Sequence, residues 1–171
     1  MKRGQVWVET VIYTLIAFVM IGAVLAFVKP KIEEIRDKAI IEQTIGVIKD
    51  INSKIVELNV AGNKRIIELG IKRGTLTIDG EKDLIVFELE SKNVYSQPGE
   101  DIHIGNIIAH TKKRGTFNTI TLMTNHSEYN VTYQGEDKLK TISQASTPYR
   151  LSISNIGEDN GKSIIDFDII N

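Results

Sequence analysis

The chain contains no cysteine, which excludes disulfide frameworks, thiolate metal sites and cysteine nucleophiles. An excess of one charge sign is also missing. Its 21 basic and 22 acidic side chains leave a net charge of −1, too balanced for a nucleic-acid binder that relies on a basic surface. There is no phosphate-binding loop, no nucleophile elbow and no Ser/His/Asp arrangement beyond chance. Carboxylates are plentiful, but none stands out as a catalytic pair. Internal repeats and low-complexity linkers are absent. What is present is unevenly spread: Thr10 to Val28 is a run of 19 residues without a charge, and the chain from Lys29 onward carries 40 of the 43 charged side chains.

At about 1.5 Å per helical residue, that run spans roughly 28 Å, close to the hydrocarbon thickness of a bilayer. A secretory signal has a shorter apolar stretch followed by small residues at its cleavage site. Here the run ends in Phe27-Val28-Lys29-Pro30, a poor context for such cleavage. Basic residues leave the orientation undecided, because Lys2 and Arg3 at one end oppose Lys29, Lys31, Arg36 and Lys38 at the other. Glu9 is the anomaly. A carboxylate at the edge of a membrane span is either solvated at the interface or held by a dedicated cationic partner.

Lys2-Arg3-Gly4, then Gln5, a glutamate four residues later and an unbroken apolar helix resemble the class III signal of the type IV pilin superfamily. The leader of only four residues, and the lack of cysteine, resemble archaeal members more than bacterial ones. The resemblance covers residues 2 to 30 closely and the following helix loosely. It implies cleavage between Gly4 and Gln5 by a membrane prepilin peptidase, on the cytoplasmic side. The apolar helix then stays on the mature chain, with Glu9 as its fifth residue and the group that guides subunit assembly. The implied partners are other copies of the chain in a helical homopolymer, the membrane assembly platform with its ATPase, and lipid before assembly. No cofactor is implied, and no nucleic acid is expected.

Beyond Pro30, which can start a new helix or kink a continuous one, apolar residues fall at Ile32, Ile35, Ala39, Ile41, Ile45, Ile48, Ile51, Ile55 and Leu58. Steps of mostly three and four describe an amphipathic helix. About half of this stripe is expected to pack on the chain's own β domain, and the rest along neighbouring subunits. The expected organisation is a leader at 1–4, a long helix at 5–58 kinked near Pro30 (apolar over 6–28, amphipathic over 31–58) and a β-rich head at 59–171.

From Gly74 the period changes to two. Leu76 and Ile78 alternate with threonines, Asp79-Gly80 signals a turn, and Ile85, Phe87 and Leu89 follow. Further strands are expected at 101–111, 116–123, 128–133, 148–155 and 163–170. The fold class is therefore α+β: a long N-terminal helix followed by an antiparallel all-β, sandwich-like head of six or seven strands. His103, His110 and His126 lack ligand spacing and read as structural or surface groups. Asp79, Glu81, Asp83 and Glu90 have offsets similar to a calcium loop, but Leu84 stands where that loop needs glycine, so the segment reads as a hairpin. Asn125-His126-Ser127 and Asn130-Val131-Thr132 are N-glycosylation sequons, expected on an exposed hairpin spanning 116–133. Their use would place the head outside the cell.

The reading these features support is a pilin of a type IV pilus-like filament, with no enzymatic activity. Other readings stay open: a minor or priming pilin, an adhesin on the same N-terminus, or a bitopic anchored binding protein that never polymerises.

Overall fold

A computed structural model describes the backbone of residues 3–170 and the side chains of residues 7–170. One helix, α1 (Arg3–Glu57), is followed by ten strands. The chain divides after Asp37 into two compact units. The first contains the uncharged part of α1. Pro30 lies inside α1, which is unbroken there even though the ring removes the N–H that would bond the carbonyl of Ala26.

In the second unit the helical stripe becomes core. Ile41, Ile45, Ile48, Ile51, Ile55 and Leu58 are all buried, whereas Ile32 and Ile35 in the first unit are exposed. The stripe shares one apolar cluster with the inner faces of two sheets. The larger sheet is antiparallel throughout, in the order β4 (Asp101–Ile104), β5 (Ile107–Arg114), β6 (Phe117–Asn125), β3 (Leu84–Ser91), β2 (Thr75–Asp79), β8 (Leu139–Ser143). The smaller has the order β1 (Lys64–Leu69), β9 (Tyr149–Asp159), β10 (Lys162–Ile169), β7 (Asn130–Tyr133). Along β3 the inward residues Ile85, Phe87 and Leu89 are buried and the outward Glu88 and Glu90 are exposed, the period of two expected for a sheet with one wet face.

The α+β class stands, with four corrections to the head. The described residues form ten strands, not six or seven. The run 101–111 is split into β4 and β5 by a two-residue turn at Gly105-Asn106, where Gly105 adopts φ +67°. The β2–β3 turn is four residues, Gly80 to Asp83, with Asp83 itself at φ +55°. Residues 116–133 do not form a hairpin, because β6 belongs to the larger sheet and β7 to the smaller. There β7 runs parallel to β10, the one parallel pair among the described strands.

Asn155 ties the helix end to the smaller sheet. Its Nδ2 donates to the Leu58 carbonyl at 2.8 Å, its Oδ1 accepts from the Gly157 N–H at 3.1 Å, and its backbone bonds Gly62 and Asn63. One of the carbonyls that every helix leaves unpaired at its C-terminus is thereby satisfied inside the protein.

Candidate functional site

The apolar segment of α1 is the most unusual surface of the chain. Fifteen large apolar side chains between Trp7 and Val28 are each at least 41% exposed, with Trp7 at 74% and Phe27 at 79%. Covering that much apolar area is worth on the order of 20 kcal/mol. The net stability of an ordinary domain is about 5–15 kcal/mol. An apolar surface of this size, on a helix of this length, suits association with a membrane. This helix is long and apolar enough to cross a membrane.

Polar groups in the segment are few. Thr14 Oγ1 donates to the Thr10 carbonyl at 2.8 Å, which hides the hydroxyl within the helix. Glu9 is exposed on the same stretch and forms no ion pair among the described residues. Gly22 has open space where a Cβ would stand. Lys2 and the side chains of Arg3, Gly4 and Gln5, on which the leader expectation rests, lie outside the described residues.

The two sequons flank one turn but differ in setting. Asn125 is exposed at the end of β6, and its Oδ1 accepts the Ser127 N–H at 2.8 Å. Asn130 is half-buried at the start of β7, paired with Ile164 of β10. Its sequon hydroxyl, on Thr132, is buried and donates to Asp166 Oδ1 at 2.8 Å. Between them His126 is buried, its ring centroid 6.5 Å from that of Tyr129. The backbone N–H of His126 donates to the Asp83 carbonyl at 2.8 Å, and Asp83 Oδ1 accepts the Val131 N–H at 2.8 Å.

Burial holds the His126 imidazole below its ordinary value of 6.5, partly offset by the nearby carboxylates of Glu128 and Asp83. The unfolded chain therefore binds a proton here that the folded chain resists. The resulting contribution to stability is fully present above about pH 6.5 and is lost as pH falls below it. His126→Gln is expected to flatten this dependence. Melting temperatures of the detergent-solubilised chain at pH 7.5 and 5.5 check it: the wild type loses more than the variant on acidification.

Other candidate side chains make local contacts. His110 Nδ1 lies 2.7 Å from Asp101 Oδ1 on the outer face of the larger sheet. Asp79 Oδ1 accepts the Lys82 N–H at 3.2 Å and its Oδ2 faces Lys82 Nζ at 3.8 Å. Two carboxylates of the calcium-loop candidate are thus engaged within the fold, Asp79 by the β2–β3 turn and Asp83 by the Val131 N–H of β7. No group of three His, Asp or Glu could hold a metal ion among the described residues.

Comparison with protein-family models, characterised proteins and solved structures gives no match for this chain.

Proposed function

We propose that this protein is the structural subunit of a type IV pilus-like surface filament. The observation that carries the reading is the apolar, wholly exposed helical surface of α1. It follows directly on Lys2-Arg3-Gly4, contains one carboxylate, Glu9, and is joined to a folded β head. The chain is first a membrane protein with a cytoplasmic N-terminus. A prepilin peptidase removes residues 1–4, and an assembly platform driven by an ATPase moves the helix from lipid into a bundle of identical helices. Lipid and a Leu/Ile/Val core are similarly apolar, so the transfer gains little hydrophobic energy, and packing, polar pairing and the powered machine drive it. The heads face water outside the cell, with Asn125 as the accessible glycan acceptor.

Mass spectrometry of the protein from its native host tests this reading. The expected mature chain begins at Gln5 and carries glycan on the peptide containing Asn125. A filament-borne chain that keeps Lys2 and Arg3 would overturn the processing. A chain found only in the membrane, unprocessed, would favour a bitopic anchored protein.

A further inference from the structure

The net charge of −1 conceals a polarised head. The hairpin connections of the larger sheet alternate between its two ends. Pairing of Leu84 with Asn125 puts the β2–β3 and β6–β7 turns together at one end, and the contact of Gly80 with the Lys138 carbonyl adds the turn before β8. Pairing of Ser91 and of Lys113 with Asn118 puts the β5–β6 hairpin at the other end.

The first end is acidic. Lys82 and Lys138 are each already paired, with Asp79 at 3.8 Å and Glu136 at 2.8 Å. That leaves Glu81, Glu128 and Asp137, all exposed and without an ion pair among the described residues, alongside the half-buried Asp83. The second end is basic. Lys112, Lys113 and Arg114 are consecutive, exposed and likewise without an ion pair, and Phe117, paired with Arg114, is 44% exposed beside them. Glu90 stands level with Lys112, both opposite Thr119 of β6, and Glu88 lies two residues further along β3; both carboxylates are on the open face of the sheet, leaving Lys113 and Arg114 as the outermost charges of the hairpin tip.

The two ends are separated by the length of β3, about 23 Å for its run from Leu84 to Ser91. Screening at physiological salt limits interaction between exposed charges to about 8 Å. The opposite charges therefore do not compensate each other within one copy.

We propose that the basic β5–β6 hairpin end of one head docks against the acidic β2–β3 and β6–β7 end of a second copy of this chain. The two patches are different surfaces of the same molecule, so the contact is head-to-tail and leaves each copy one open patch of each sign. Such a contact propagates rather than closing on itself as a two-fold dimer does. Charge complementarity of this kind fixes register and rejects wrong pairings, which an apolar helix surface does poorly. The proposal takes the filament reading as its setting, but the contact is defined by the head alone.

Two measurements test it. The first is zero-length carbodiimide coupling of the full chain in detergent, mixing unlabelled and nitrogen-15-labelled protein. Mixed-label peptides joining Lys112 or Lys113 to Glu81, Glu128 or Asp137 are expected; their absence overturns the contact, whether or not filaments form. The second is filament yield in a strain lacking the native subunit. Reversal of Lys112, Lys113 and Arg114 to Glu is expected to lower yield about tenfold or more, since like charges then face each other. Adding Glu81→Lys, Glu128→Lys and Asp137→Lys is expected to restore it. Reversal that leaves yield unchanged, or that is not rescued, overturns the proposal. So does reversal that only abolishes binding of a polyanion such as heparin, since the occupant of the basic end is then not a second copy. Wild-type protein that couples as expected but never forms filaments would instead count against the filament reading.

Discussion

Glu9→Gln is expected to leave membrane insertion and leader removal intact while filaments nearly disappear. In the proposed processing, cleavage after Gly4 would remove Lys2 and Arg3 and create a new α-amino cation at Gln5. That amine would then have to enter an apolar bundle, where an unpaired charge is heavily penalised. Four residues separate Gln5 from Glu9, roughly 6 Å along a helix. The carboxylate can therefore meet the amine of its own chain or that of a neighbour, and the second arrangement also fixes the axial step between subunits. Removing one partner of a buried pair costs about 3–5 kcal/mol. At about 1.4 kcal/mol per decade, this is roughly two to three and a half decades in the equilibrium for each addition. Glu9→Asp, charged but shorter, is expected to retain partial assembly. Filament counts against membrane-bound mature protein, in a strain lacking the native subunit, check both variants. Normal yield from Glu9→Gln would mean that the carboxylate is simply solvated at the interface.

The second large effect lies in the head. Gly74, just before β2, has φ +89°, and a Cβ there would collide with the Glu88 carbonyl oxygen and come within 2.8 Å of the Phe87 ring. The strained backbone alone costs about 1–3 kcal/mol for a non-glycine residue. The collision is with backbone of a central strand, which has nowhere to move without disturbing its pairing with β6. Gly74→Ala is expected to destabilise the head by about 3 kcal/mol or more. Gly99 supplies the control: its φ is +87° but nothing stands within 4 Å of its Cβ position. Gly99→Ala is expected to show the conformational cost only, about 1–2 kcal/mol. Denaturant unfolding of the two variants in detergent, followed by the β signal, separates the effects. Equal losses would show that the collision relaxes freely.

Local patterns in the sequence carried the long elements. The uncharged run and the three-and-four spacing to Leu58 correspond to α1, and the alternation around Asp79-Gly80 corresponds to the β2–β3 hairpin. β1 escaped notice because Lys64-Arg65 and the adjacent Ile66-Ile67 break alternation; its place is set by pairing with β9, far away in the chain. β8 is short and mostly exposed, and it is a strand because β2 offers it an edge. Gly105-Asn106 was a readable turn signal hidden within an apolar alternation. Parallel pairing of β7 with β10 depends wholly on tertiary structure. The candidate sites divide in the same way. Glu9 and the sequons can be read from the sequence as chemistry, but the burial of His126 and Thr132 and the charge polarity of the sheet emerge only when turns distant in sequence are brought together.

A reconstruction by electron cryomicroscopy of filaments from native cells, at a resolution that shows side chains, tests the central proposal most directly. The account predicts a core of parallel helices whose density fits the sequence from Gln5, with Trp7, Tyr13, Phe18 and Phe27 covered by neighbouring helices. It also predicts a Glu9 carboxylate within hydrogen-bonding reach of an N-terminal amine, and ten-strand heads on the outside. Surface filaments whose core density does not accept this side-chain sequence, from cells in which the chain stays in the membrane, would contradict it.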